Sequence, residues 1–184
     1  MSQPQPPEAF TITKGFHFLG QKFHFGGFSH RAVLLFRPGK ARFESLMPPV
    51  PGEPDMEIHE RLHVDGEVGH LATPIIHRDE KGLEAYKARH ADYAAWEARL
   101  RVSFFDTGQW GQDGIAPRLF GNVQQRRRWL KLLSLRVPFE PACWFIYHYI
   151  ARGAVFEGRL GFLASRLRAQ YIADIRQRTR ALRK

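Results

Sequence analysis

The first third of the chain alternates apolar and polar positions with the period of two that is typical of β-strands. Residues 10–13, 16–18, 23–25 and 32–36 are short aromatic or aliphatic segments, and glycines lie between them. This pattern predicts short strands joined by tight turns. Four prolines in residues 45–54 then predict an irregular loop.

A second alternating stretch follows this loop. Apolar and polar side chains alternate in residues 58–64, and Asp65-Gly66 comes directly after them. An Asp-Gly pair is a strong signal for a two-residue turn, so the sequence predicts a hairpin whose second strand is residues 67–71. Residues 74–77 predict one more short strand.

The pattern changes to that of helices near Gly82. Apolar and aromatic side chains then recur every three or four residues, at Leu83, Tyr86, His90, Tyr93, Trp96 and Leu100. Such a stripe predicts an amphipathic helix. After a glycine-rich break at residues 109–114, further helices are predicted at residues 122–135, 141–151 and 159–182.

The predicted fold class is therefore α+β. A small, mostly antiparallel sheet is expected within residues 8–81, and amphipathic helices within residues 82–184. Residues 1–7 are polar and rich in proline, and they predict a disordered tail.

Composition limits the possible functions. The chain has 184 residues, of which 43% are hydrophobic, and this fits one globular domain. Its net charge of +10 predicts an anionic partner: nucleic acid, phospholipid headgroups or a nucleotide sugar. The single cysteine, Cys143, rules out an intrachain disulfide framework and favours the cytoplasm. The start does not predict a signal peptide, and the most apolar stretch, residues 141–151, is shorter than the ~20 residues of a spanning helix.

Residues 59–63, His-Glu-Arg-Leu-His, match the H-E-x-x-H signature of zinc proteases. In that signature two histidines one helical turn apart bind zinc, and the glutamate activates water. Three features argue against this interpretation. A third histidine would be needed at Gly69 but stands at His70, all three methionines precede the motif that a Met-turn should follow, and the residues alternate with the period of a strand.

Several segments, in a fixed order, carry a resemblance to a known family. They are FLG (18–20), LLFR (34–37), IHERLHVDGEVGHL (58–71), PIIH (74–77), KARH (87–90), Tyr93 with WEA (96–98), YIARG (149–153) and EGRLGF (157–162). Together they resemble bacterial family 2 glycosyltransferases of exopolysaccharide and lipopolysaccharide-core assembly, which are inverting enzymes of the GT-A type. The resemblance runs from Phe10 to the end, with Glu157 where Asp is usual.

The resemblance implies an incomplete GT-A fold, namely the acceptor-side, carboxyl-terminal half. In this family the other half binds the nucleotide-sugar donor and holds a divalent metal, Mg²⁺ or Mn²⁺, with an Asp-x-Asp motif. No Asp-x-Asp occurs in this chain. We therefore expect no activity without a donor-binding half, which could be a separate chain, and we expect a lipid-linked sugar or a polysaccharide as acceptor.

The resemblance also implies roles for single residues. Glu60 is the candidate base that takes the proton of the acceptor hydroxyl, His59 would orient it or the acceptor, and His77 would approach the metal or the diphosphate. A plainer interpretation of Glu60 is a salt-bridged strand residue, since Arg61 and Arg78 are available partners. His77 could likewise be an ordinary hydrogen-bonded histidine at the end of a strand.

The helical half combines cationic and aromatic residues in a way that suits a membrane surface. We expect Arg126, Arg127, Arg128, Trp129 and Arg152 to face anionic headgroups, which would hold the chain on the inner face of the cell membrane. Two alternatives remain open. One is a small nucleic-acid-binding protein, which charge alone supports, and the other is the zinc protease.

Overall fold

The computed structural model describes residues 6–48, 60–79 and 81–184, without the side chains of His77 and Asp79. A small sheet in the amino-terminal part is followed by helices, so the predicted α+β class is confirmed. The switch occurs at Gly82, where the first helix begins. Most of the predicted tail and most of the predicted proline-rich loop lie outside the described residues.

The sheets are built around one long strand. The strands are β1 (Ala9–Phe18), β2 (Gln21–Lys22), β3 (His30–Phe36), β4 (Ala41–Phe43), β5 (Leu62–Val64) and β6 (Val68–Asp79). β1 pairs antiparallel with β2 and β3, and parallel with β6. β4 and β5 form a separate antiparallel pair. The pairing is therefore antiparallel except between β1 and β6.

The hairpin predicted around Asp65-Gly66 is wrong. β5 pairs with β4 while β6 pairs with β1, so the chain passes from one sheet to the other at this turn. The amide of Asp65 donates to the carbonyl of Lys40, and the amide of Glu8 donates to the carbonyl of Glu67. Partners far away in sequence thus decide the pairing here, although the local turn signal is strong.

Two smaller differences concern the first strands. The segments predicted at residues 10–13 and 16–18 are one continuous strand, β1. Residues 23–25 are not a strand, because the chain there turns away from the sheet toward the helices. The aromatic ring of Phe23 is instead buried against Phe16 and Phe18.

The helices predicted at residues 122–135, 141–151 and 159–182 are confirmed to within one residue at each end, the second as an α-helix continued by a π-helical segment, and the helix predicted from the stripe at Leu83–Leu100 extends to Thr107. The helical segments are α1 (Gly82–Thr107), α2 (Val123–Ser134), α3 (Glu140–Ile146), a π-helical segment (Tyr147–Ala151), a 3₁₀ turn (Ala154–Glu157) and α4 (Gly158–Leu182). α1 ends at Gly108, whose φ of 75° and amide bond to the Phe104 carbonyl form a left-handed cap. α2 begins with a capping box in which Asn122 and Gln125 each accept the other's amide.

Three buried clusters hold these elements together. Ala94 and Ala98 of α1 pack on Ile172 and Ile175 of α4. A second cluster joins α1 to the segments before β5 and after α1, through Leu46, Trp96, Leu100, Phe104, Trp110 and Leu135. In the third, aromatic side chains of the sheet region pack on α4, with Phe18 and Phe23 against Ala164 and Leu167. The sheet and the helices therefore share buried cores.

Candidate functional site

Glu60, the candidate base, lies just before β5. Its Oε1 atom accepts a hydrogen bond from the amide of Leu46 at 3.1 Å, and the residue is half-buried. The described part of the H-E-x-x-H stretch, residues 60–63, contains no helical residue, and Leu62 and His63 belong to β5. The zinc-protease interpretation is therefore contradicted, because the motif binds zinc only from a helix.

The two candidate histidines are less completely described. His59 lies outside the described residues. His77 lies in β6, where its backbone is paired with Phe16 of β1, and nothing is described of its side chain. Glu60 thus lies just before a strand of one sheet, whereas His77 lies within a strand of the other. In the described ranges no three His, Cys, Asp or Glu side chains form a group that could hold a metal, so the metal implied by the resemblance has no ligand set among them.

A buried ion pair that the sequence did not indicate lies two positions from Leu46. Glu44 is fully buried, and Nη2 of Arg128 donates to its two carboxylate oxygens at 2.6 and 2.8 Å. The amides of Arg61 and Ile115 also donate to Glu44. The expectation that Arg128 faces a membrane is therefore wrong, because its guanidinium is buried and paired with Glu44.

Arg61 adds a second positive charge, half-buried, beside this pair. Its Nη1 atom donates to the carbonyl of Gln124 in α2 at 2.8 Å. Burial lowers the pKa of Arg61 to about 10, and the neighbouring charge of Arg128 acts in the same direction. Arg61 still carries its charge at neutral pH, and it ties the start of β5 to α2. Arg61 is therefore not a partner of Glu60 in the way that the plainer interpretation suggested.

A second ionic network lies between α1, α3 and α4. Arg101 donates to Glu97 and Glu140, and Arg176 also donates to Glu140. Burial opposes ionisation of Glu97, but the charges of Lys131 and Arg101 outweigh it and lower its pKa to about 2. Glu97 and Glu140 are thus buried carboxylates whose negative charges are compensated inside the helical half.

A third polar contact joins the loop after β2 to the residues before α4. Glu157 accepts hydrogen bonds from the side chain of Gln21 at 2.9 Å and from the amides of His24 and Phe25 at 2.6 and 2.7 Å. Burial raises the pKa of the Glu157 carboxyl, but these amide donors outweigh it and lower the pKa below its usual range. Gly161 allows the first turn of α4 to lie close to the backbone of Ala154, since a Cβ there would lie 1.9 Å from the Ala154 carbonyl oxygen.

His148, in the π-helical segment, supports the same loop. Its Nδ1 atom lies 2.7 Å from the carbonyl of Gly26 and donates to it. The ring is stacked between Phe28 and Trp144, with centroids at 4.6 and 5.5 Å. Burial lowers the pKa of His148, so the neutral ring is favoured at physiological pH. Sequence reasoning missed Glu44 and His148, and gave no role to Glu157, because each binds a group more than 70 residues away: Arg128 for Glu44, Gly26 for His148, and the amide of His24 for Glu157.

The remaining residues that were expected to face a membrane divide into two groups. Arg126, Arg127 and Arg152 are exposed, whereas Trp129 is half-buried. Arg152 packs its side chain against Gly27 and accepts, through its carbonyl, the amide of Gly26. Within the described ranges, no helix has the length and apolar character needed to cross a membrane.

Comparisons with family models, with curated proteins and with solved structures give no match to this chain.

Proposed function

We propose that this chain is the acceptor-side, carboxyl-terminal part of a bacterial family 2 glycosyltransferase of cell-envelope polysaccharide assembly. The observation that carries the proposal is a contact between one segment of the resemblance and the residues directly after another segment, which lies far away in the sequence. Glu157 opens the EGRLGF segment, and it accepts hydrogen bonds from Gln21, His24 and Phe25, directly after the FLG segment. The contact joins the regions of two segments in one folded unit. A family's fold requires this of its segments, so the contact supports the proposed membership.

In this proposal Glu60 is the general base. A carboxylate oxygen of Glu60 takes the proton of the acceptor hydroxyl while the hydroxyl oxygen bonds to the anomeric carbon of the donor sugar. The bond between that carbon and the diphosphate breaks on the opposite face, so the nucleoside diphosphate leaves and the configuration inverts. The hydrogen bond from Leu46 holds Oε1 of Glu60 in place and supports this role. His59 orients Glu60 or the acceptor.

The donor belongs to a second half of the enzyme in this proposal. That half binds the nucleotide sugar, and its Asp-x-Asp carboxylates hold Mg²⁺ or Mn²⁺, which neutralises charge on the diphosphate when it is bound. His77 of this chain approaches that group in the assembled enzyme. The described residues offer no metal ligand set of their own, so every proton transfer assigned to this chain runs through Glu60.

The proposed place of work is the inner face of the cell membrane, with a lipid-linked sugar as acceptor. The net charge of +10 and the exposed Arg126, Arg127 and Arg152 support attraction to anionic headgroups.

The test is to restore the donor half and to measure sugar transfer. The DNA directly upstream is read for a frame that encodes an Asp-x-Asp domain, and this domain is produced together with the chain. Glu60→Gln should keep the affinity for the nucleotide sugar and lower turnover by roughly 10²-fold or more, as expected when a general base is lost. His77→Ala should instead weaken binding of the metal-nucleotide complex.

Glu67→Gln is the matched control, because Glu67 is an exposed glutamate seven residues further along the same region. It should leave turnover and donor affinity unchanged. A Glu60→Gln enzyme with full activity would show that Glu60 is not the base. Absence of any transfer by the combined halves, with all acceptor classes tried, would contradict the proposed function itself.

A further inference from the structure

The helical run from Glu140 to Ala151 exposes one apolar side. We call this side the outer stripe, and it consists of Phe139, Cys143, Ile146, Tyr147 and Ile150, all exposed. Phe139 is 79% exposed, Ile150 60% and Ile146 56%. Cys143, Ile146, Tyr147 and Ile150 lie three or four residues apart along the run, which groups them on one side of it, and Phe139 directly precedes the helix. Glu140 and His148 of the same run are buried instead.

The apolar surface continues beyond the π-helical segment. Phe156, in the 3₁₀ turn, is 76% exposed, and its ring lies 5.5 Å from that of the exposed Phe25. Val155 beside it is also exposed. These side chains lie next to Glu157, which anchors the loop of Phe25 from within. The protein therefore holds several large apolar side chains in water on a well-fixed framework, and such surfaces mark interaction sites.

α2 presents a second surface of the same kind. Its inner side is fixed to the protein through Arg128, and its outer side exposes Val123, Leu130 and Leu133. Arg126 and Arg127 are exposed beside these residues. A helix with an apolar stripe flanked by arginines is the pattern of helices that lie in a membrane interface.

The part of the chain that carries these surfaces is strongly positive. Residues 115–184 contain fifteen Lys and Arg but only three acidic residues, namely Glu140, Glu157 and Asp174. Glu140 and Glu157 are buried, so their charges do not reach the surface. Exposed Arg136 and Arg152 lie at the two ends of the outer stripe. Any partner of this surface must therefore combine apolar and anionic groups.

We infer that the outer stripe and the outer side of α2 bind an anionic phospholipid bilayer, with their apolar side chains inserted among the headgroups and their arginines on the lipid phosphates. Nucleic acid would pair with the arginines but would leave Ile146, Ile150 and Phe139 in water. A bilayer of anionic lipid satisfies both groups at once. This inference rests on the membrane placement in the proposed function and does not depend on sugar transfer.

Cys143 provides a direct test, because it is the single cysteine and lies within the outer stripe. The chain is labelled there with an environment-sensitive fluorophore and mixed with vesicles of phosphatidylcholine, with or without an equal amount of phosphatidylglycerol. Vesicles with phosphatidylglycerol should shift the emission to the blue and protect the label from iodide. Unchanged emission with both kinds of vesicle would overturn the inference.

Matched variants separate the contributions by vesicle flotation. The double variant Arg126→Gln with Arg127→Gln should lower binding by about tenfold or more, because each charge near an anionic surface contributes about fivefold. The double variant Ile146→Ser with Ile150→Ser should also lower it by about tenfold or more, because two inserted apolar side chains are lost. Ile76→Ser is the control, because Ile76 is 65% exposed on β6, away from these helices. All of these side chains are at the surface, so thermal melting should be unchanged.

The outcomes distinguish the possible partners. An equal loss with Ile76→Ser, or equal recovery on neutral and anionic vesicles, would refute the assigned surface. Salt-dependent binding to DNA or RNA that survives Ile146→Ser with Ile150→Ser, without vesicle binding, would identify nucleic acid as the partner instead. Vesicle binding without sugar transfer by the restored enzyme would support this inference and contradict the proposed function. Sugar transfer without vesicle binding would support the proposed sugar transfer and contradict this inference.

Discussion

At the scale of single residues, the buried carboxylates are held by specific partners. Glu44 and Arg128 form a buried pair with hydrogen bonds to two backbone amides. Arg128 lies on the same side of α2 as Leu132 and Leu135, which is a signal in the sequence that it points inward. Arg126 and Arg127 lie on other sides of α2, where they are exposed. Three consecutive arginines thus have two different environments.

The Glu44–Arg128 pair predicts that substitutions of the neighbouring Arg127 and Arg128 change the free energy of unfolding by very different amounts. Arg128→Met should lower the free energy of unfolding by about 3–5 kcal/mol, because it leaves the Glu44 charge buried without its partner. Arg127→Met should change it by less than about 0.5 kcal/mol, as is usual for exposed sites. Urea denaturation of both variants measures the difference. Equal stabilities would mean that the pair contributes nothing.

Glu97 predicts a dependence of stability on pH. Its pKa of about 2 lies below the 4.5 of an unperturbed glutamate, so the ionised carboxylate stabilises the fold above about pH 4.5. This contribution, about 3 kcal/mol, is lost as the pH falls toward 2. Glu97→Gln should therefore be less stable at neutral pH and should lose less stability between pH 4.5 and 2. Glu84→Gln, an exposed site on the same helix, should retain the steep profile of the parent chain.

At the scale of elements, the contact between Glu157 and the loop after β2 links the two halves of the chain. Glu157→Ala should accelerate hydrogen exchange of the His24 and Phe25 amides by roughly 10- to 100-fold, because their shared acceptor is lost. The amide of Gly108 bonds to Phe104 instead and serves as the internal control. Unchanged exchange at His24 and Phe25 would show that the loop is held by its aromatic rings alone.

The elements differ in how well the sequence predicts them. All the helices were predicted, and those after Gly114 to within one residue at each end, because apolar stripes and a capping residue such as Asn122 are local signals. The partner of β6 was not predictable, since β1 lies about 60 residues earlier and the Asp65-Gly66 turn favoured the wrong neighbour. Strand pairing is decided by contacts that are distant in sequence, whereas a helix is decided within a few turns.

The same distinction explains the candidate site. The sequence indicated Glu60 through the resemblance, but its partner Leu46 lies 14 residues earlier and was not expected. Glu44 had no motif at all, although it accepts bonds from three separate segments. Buried polar groups of this kind appear only when the fold brings their donors together.

At the scale of the whole molecule, the shared cores make the sheet and the helices one cooperative unit. Phe18 and Phe23 pack on Ala164 and Leu167. Glu157 accepts a hydrogen bond from His24, in the loop between Phe23 and β3. An element of the sheet should therefore unfold together with α4. In the proposed function, this unity would let the chain present its acceptor surface as one folded unit while another half supplies the donor chemistry.

The last prediction follows from that division of labour: the 184-residue chain alone should bind no nucleotide sugar tightly and should transfer no sugar. The described residues provide no set of ligands for a metal, and in the proposed function the metal that neutralises the departing diphosphate is held by the other half. Stabilisation of that charge is commonly the largest part of such catalysis. The measurement is transfer from a radiolabelled nucleotide sugar, with circular dichroism as the control for folding. Turnover by the folded, isolated chain would mean that its own residues carry the donor chemistry and that the proposed division is wrong.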